Sequence, residues 1–209
     1  MTAPESICQL VDRFRENLEA YKSSRYNETQ ARREFIDPLF TALGWDIDNR
    51  QGLAEAYKDV VHEATLEIEG ETKAPDYAFR IGGTRKFFVE AKKPSVKLET
   101  DIHPAYQLRR YAWSAKLPLS ILTDFEEFAV YDARQRPDKT DKASTGRVML
   151  FHFPDYVEKW DELAGIFSKE AVLHGSFDKY AVGTKGRKGT AEVDDAFLGE
   201  IERWRDLLA

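Results

Sequence analysis

Apolar residues recur at spacings of three and four at the start of the chain: Ile7, Leu10, Val11, Phe14, Leu18 and Tyr21. That period predicts a helix over residues 5–22 with one buried stripe. A polar break, SSRYN, follows. Asn27 is placed as an N-cap, with Gln30 at the N3 position of a capping box. The second helix runs to about Leu43, and Pro38 inside it predicts a kink or a junction of two short helices. Gly44 suits the C′ position. Alternation then takes over. VVHEATLEIEG reads as one strand carrying Val61, Ala64, Leu66 and Ile68, closed by Gly70. DYAFRI (76–81) and KFFVEA (86–91) flank GGTR, which predicts a hairpin reversing at Gly82–Gly83. Residues 105–116 return to helix, and LPLSILT (117–123) is a short apolar run of the buried-strand kind. FEEFAVYDA and VMLFHF add strands around a polar loop at 134–147, and PDYVEKWDELAGIFS is an amphipathic helix. Strands interleaved with helices predict an α/β fold, a mixed central sheet of about four to six strands flanked by helices.

The pattern changes after residue 175. SFDKYAVGTKGRKGT (176–190) shows no apolar period and reads as a linker. A final helix follows, with Val193, Phe197, Ile201, Trp204 and Leu208 along one face. The expected division is a body at 1–170 and a linker with C-terminal helix at 171–209.

Composition narrows the class. Of 209 residues, 42% are hydrophobic and 33% charged, which excludes collagen, low-complexity disorder and a disulfide scaffold. The net charge of −6 provides no global basic field, so any polyanion must be held by a local patch. The single cysteine, Cys8, fits a reducing compartment. No apolar run approaches the roughly 18 residues of a membrane span, and the N-terminus has no apolar signal region. A cytoplasmic chain with no membrane partner is expected.

Chemistry concentrates on the hairpin. Pro75-Asp76 opens one arm, and Glu90-Ala91-Lys92 closes the other. Strand parity puts Glu90 and Lys92 on one face with Phe88, and Phe87, Val89 and Ala91 on the other. Asp76 is within cross-strand reach. A strand that places a carboxylate and an ammonium among hydrophobics breaks its own pattern, as functional sites do. Two carboxylates can hold Mg²⁺ with substrate phosphate and water. A neighbouring lysine can orient water or neutralise developing charge. The triplet itself is weak: 37 acids and 15 lysines predict roughly 2.7 chance matches of acid-x-Lys, and two occur. The second, Glu71-Thr72-Lys73, is placed on a turn beside Gly70. From residues alone, a catalytic site competes with a solvated sheet face or a buried ion pair.

PDYAF…FFVEAKKP resembles the core motif of the PD-(D/E)xK nuclease superfamily. YNETQARREFIDPLFTALGW resembles the first helices of the nuclease domain at the N-terminus of type IIG restriction–modification enzymes, itself similar to that of type I restriction R subunits. YQLRRYAWSA resembles the Gln-xxx-Tyr helix of that family, and ILTDFEEFAVYD its next strand pair. The resemblance implies a restriction-endonuclease-like fold and Mg²⁺-dependent hydrolysis of double-stranded DNA, with Mn²⁺ as a substitute. It implies Asp76 and Glu90 as metal ligands and Lys92 as the catalytic lysine. It adds Glu28 as a further acid of the site, which Arg32 would orient as an i,i+4 pair. Gln107 and Tyr111 share a helix face and would reach the site or the DNA. Lys93 and Arg110 would bind substrate, within a basic run that includes Arg85, Lys86, Lys97 and Arg109. The C-terminal segment resembles the lead-out toward a methyltransferase.

No Asn-Pro-Pro-Tyr motif, cofactor loop or helicase motor accompanies these residues, so methyltransferase and target-recognition regions are partners missing from this stretch. The expectation is an excised domain, a truncated product or one part of a split system, with dimerisation available for double-strand cleavage. The rival readings are a catalytically inactive DNA-binding or scaffold module and an interaction module docking through its last helix. His62, His103, His152 and His174 show no ligand spacing. Trp45, Trp113, Trp160 and Trp204 are read as packing anchors.

Overall fold

The computed structural model describes residues 2–68 and 71–183. Helix α1 (Glu5–Glu16) buries Ile7, Leu10, Val11 and Phe14, and a break at Asn17 separates it from α2 (Leu18–Tyr21). The capping box forms as read. Gln30 N–H donates to Asn27 Oδ1 at 3.0 Å, and Asn27 N–H donates to Gln30 Oε1 at 3.1 Å. Helix α3 (Glu28–Ala31) therefore starts with Glu28 in its first turn. The expected kink at Pro38 is a π-helical segment, Arg32–Ile36, leading into α4 (Asp37–Ala42), whose first turn contains Pro38. Gly44 ends the run at φ +89°.

The single strand expected over 60–70 is two. Strand β1 (Val60–His62) ends at Glu63, whose φ of +50° turns the chain, and β2 (Leu66–Ile68) pairs instead with β3 (Glu71–Lys73). The Glu71-Thr72-Lys73 triplet thus lies on a strand rather than a turn. Gly70 lies outside the described residues. The hairpin is as read: β4 (Tyr77–Ile81) and β5 (Thr84–Ala91) join through Gly82 and Gly83, both at positive φ. Tyr77 pairs with Val89, which sets Asp76 opposite the end of β5. Helix α5 (Ile102–Ser114) crosses over to β6 (Leu119–Thr123), which runs parallel to β5 and is buried throughout. Strands β7 (Glu127–Asp132) and β8 (Arg147–His152) complete a six-stranded sheet in the order β1-β4-β5-β6-β7-β8. All its pairs but β5–β6 are antiparallel. The expected mixed sheet is there, and the architecture is restriction-endonuclease-like.

Each face of the sheet carries its own core. Phe79, Phe87, Val89, Ile121 and Phe128 pack with the helices of the N-terminal region and with α6 (Asp155–Glu158) and α7 (Trp160–Phe167). Ala78, Phe88, Leu122 and Ala129 pack with α5 on the other face. Strand parity decides this division: alternate residues of β5 serve alternate cores. Helices α8 (Lys169–Leu173) and α9 (Ser176–Gly183) follow. The stretch from 176, read as a linker, is helical through Gly183 and packs on the body. Phe177 is fully buried, 5.4 Å ring to ring from Phe87. The final helix read at 191–209 lies outside the described residues. Trp45 and Trp160 anchor packing, whereas Trp113 is 39% exposed with Arg136 over its ring. Trp204 also lies outside. Among the described residues no helix is long and apolar enough to cross a membrane.

Candidate active site

Strand β5 ends at Ala91, and Lys92 N–H extends the ladder by one more bond to Thr123 O at 3.0 Å. Two acids and a lysine converge at this edge. Asp76 Oδ2 accepts from Ala91 N–H at 2.7 Å, which stitches the start of one hairpin arm to the end of the other. Glu90 lies on the α5 face, where Phe88 belongs to the core and Glu90 itself is 3% exposed. Its Oε1 accepts from Lys92 Nζ and from Gln107 Nε2, each at 2.7 Å. Gln107 also donates to Tyr111 Oη at 3.1 Å, one helical turn on. Glu28 enters from the first turn of α3, with Oε2 3.7 Å from Lys92 Nζ. The other oxygen of Glu90, Oε2, is buried without a hydrogen-bond partner.

Burial dominates the electrostatics. It pushes the Glu90 carboxyl up to about 7, and the neighbouring Asp76 charge adds to the rise against the pull of Lys92. Glu28 is likewise raised, first by burial. For Lys92, burial alone lowers the pKa, but Glu90, Glu28 and Asp76 outweigh it and hold the ammonium above its ordinary value. The pair thus favours the lysine's charge and penalises the carboxylate's. The asymmetry follows exposure, since the Lys92 side chain keeps 18% of its surface and that of Glu90 3%.

The structure brings together Asp76, Glu90, Lys92, Glu28, Gln107 and Tyr111. Lys93 follows directly on the chain, half-buried. Arg110 is elsewhere. It lines a cleft of about 290 Å³ with Glu67, Tyr106, Trp113 and Arg136, and Asp76, Glu90 and Glu28 are not in that lining. The basic run also disperses. Arg85 and Lys86 sit toward the far end of β5, roughly 17 and 13 Å from Glu90 at the rise of a strand, and Lys86 pairs with Asp178 at 3.0 Å. Arg109 is buried against Asp141 at 2.7 Å. Arg32 does not orient Glu28 by the i,i+4 rule. It reaches Asp76 Oδ1 at 3.3 Å. The sequence reading missed Arg32's true partner, the Tyr77 hydroxyl and His62, which was set aside with the other histidines. His62 Nδ1 stands 3.3 Å from Arg32 Nη2.

Comparison with known proteins gives the chain's relatives. Residues 58–139, which carry Asp76, Glu90, Lys92, Gln107 and Tyr111, match the family described as the type I restriction enzyme R protein N terminus. The chain is 43% identical over 211 aligned residues to the type II restriction enzyme and methyltransferase RM.Eco57I of Escherichia coli. The alignment covers all of this chain and 21% of that relative, so the chain spans about a fifth of its length. No solved structure matches. The resemblance to the N-terminal nuclease region of restriction enzymes is borne out.

Proposed function

We propose that this chain is the Mg²⁺-dependent endonuclease domain of a restriction–modification system, with the PD-(D/E)xK core, hydrolysing phosphodiester bonds of double-stranded DNA. The observation that carries the reading is the convergence of Asp76, Glu90 and Lys92 at the end of β5, with Glu90 Oε2 buried and unpartnered. Lys92 satisfies one oxygen of this desolvated carboxylate, and the other is left for a cation to take. Among the described residues no group of three or more Asp, Glu, His or Cys forms a ready cage. Mg²⁺ binds through one or two carboxylates and completes its shell with water and substrate phosphate, and Asp76 and Glu90 would supply those two carboxylates.

Asp76 and Glu90 would hold the cation, and when bound it would supply Lewis-acid polarisation of the phosphoryl oxygen and acidification of a bound water. The chain's own groups do the rest. Gln107 fixes Glu90 Oε1 and so aims Oε2. Lys92, whose ammonium the surrounding carboxylates favour in the metal-free chain, would stand beside the developing phosphoryl charge and position the attacking water. Glu28 shares that ammonium at 3.7 Å. A methyltransferase region, which the relative's name includes, and a target-recognition region would lie outside this chain.

Plasmid nicking with Mg²⁺ or Mn²⁺ tests the proposal. The wild-type chain converts supercoiled plasmid to nicked or linear form, and Lys92→Ala abolishes conversion while leaving fold and DNA affinity in place. Cleavage that persists in Lys92→Ala refutes the assignment of the site. A wild-type chain that binds DNA without cutting, and takes up no metal in calorimetry, is a binding module with this fold.

A further inference from the structure

Asp76 has two oxygens in different surroundings. Oδ2 is fixed by the Ala91 amide at 2.7 Å. Oδ1 faces Arg32 Nη1 at 3.3 Å, longer than the roughly 2.7–2.9 Å of a closed charge-assisted bond. The guanidinium is not free to close, because other acceptors hold it back. Its Nε donates to Tyr77 Oη at 3.1 Å, its Nη2 lies 3.3 Å from His62 Nδ1, and its plane sits over the Tyr77 ring, 4.6 Å from the centroid. These acceptors are themselves set by neighbours. The Tyr77 hydroxyl donates to Asp37 Oδ1 at 2.7 Å, which turns its lone pair toward Arg32. His62 Nε2 bonds the carbonyl of Ile47 at 3.0 Å, and with the proton on that nitrogen Nδ1 is an acceptor. Arg32 opens the π-helical segment, where the Asp37 amide bonds five residues back to the Arg32 carbonyl. Such segments recur at functional sites.

We propose that Arg32 is the resident counter-cation of Asp76, and that a divalent cation displaces it from Oδ1 while Tyr77 and His62 retain the guanidinium. The proposal rests on the reading of Asp76 as a metal ligand. Three carboxylates, Asp76, Glu90 and Glu28, surround Lys92, and Arg32 supplies a second positive charge at the edge. An incoming cation makes that second charge redundant at Asp76. The Tyr77–His62 cradle gives it somewhere to remain without leaving the protein.

Mn²⁺ binding to the full chain without DNA, followed by calorimetry, tests this apart from turnover. Arg32→Met removes the competing charge. Even with the dielectric of water, a unit charge about 5 Å from a divalent ion changes affinity by about tenfold, so Mn²⁺ binds at least that much tighter. Tyr77→Phe keeps the charge but removes its tether, so Arg32 closes on Asp76 and Mn²⁺ binds several-fold weaker. Opposite signs are the signature, since a merely structural ion pair would weaken binding in both variants or move neither. Wild-type binding with Arg32→Met no tighter overturns the proposal alone. Absence of binding in both wild type and Arg32→Met overturns the metal reading of Asp76 with it. Should Arg32→Met fail to fold by circular dichroism, Tyr77→Phe decides, and unchanged affinity there refutes the tether.

Discussion

Glu90 gives the sharpest quantitative test, because its cost is readable as a dependence of stability on pH. Burial raises its carboxyl from the ordinary 4.5 to about 7. The folded chain therefore holds a proton that the unfolded chain has released between those two values. Stability falls as pH rises through that window and levels off about a unit above the folded value, near pH 8. A rise of that size corresponds to about 3 kcal/mol in the metal-free protein. Other buried acids add to the slope. Asp124, fully buried with Oδ2 unpartnered, is also raised far above its ordinary value, first by burial. The contribution of Glu90 is isolated by comparison with Glu90→Gln. The amide keeps an acceptor for Lys92 and Gln107 but cannot titrate, and any fixed penalty from its buried NH₂ group shifts the whole curve without changing its slope. Urea denaturation in a chelator from pH 5 to 8 is the assay. Wild type loses about 2.5 kcal/mol more than Glu90→Gln across that range, most of the full rise. Parallel curves would refute the claim that Glu90 is a strained, desolvated acid, and with it the electrostatic case for a cation there.

Two predictions concern the scaffold. Phe87 stacks on Phe79 at 4.7 Å and meets Trp45 edge-on at 5.7 Å. Phe87→Ala leaves a cavity in the larger core and costs about 3–5 kcal/mol in equilibrium denaturation. Gly83 turns the site-bearing hairpin at φ +83°, and a Cβ there would lie 2.8 Å from the Ala56 carbonyl oxygen. Gly83→Ala lowers stability by about 1–3 kcal/mol, seen as a drop in melting temperature, because neither the backbone angle nor that carbonyl accommodates a side chain.

What the sequence makes legible here is what local geometry dictates. Parity along β5 assigns Glu90 and Lys92 to one face, and Gly82–Gly83 brings Asp76 back opposite them. The Asn27–Gln30 capping box fixes where the helix bearing Glu28 begins. Each of these depends on residues within one hairpin or one helical turn. The errors share a cause. Arg85, Lys86 and Lys92 are neighbours in sequence, but a strand separates its ends, so linear clustering did not mean a patch. The i,i+4 rule paired Arg32 with Glu28, yet a π-helical segment starts at Arg32 and the guanidinium finds Asp76 and Tyr77 from across the fold. Glu63 in a left-handed conformation split a strand that alternation had joined. Phe177 and Ala181, four residues apart, were the helical signal within the stretch read as a linker. His62 carried no local signal at all. Its ring matters only because β1 pairs with β4 and sets it beside Tyr77. The acids that would do chemistry are therefore written into one hairpin. The groups that hold them ready come from three separate stretches, and only the closed sheet brings them together.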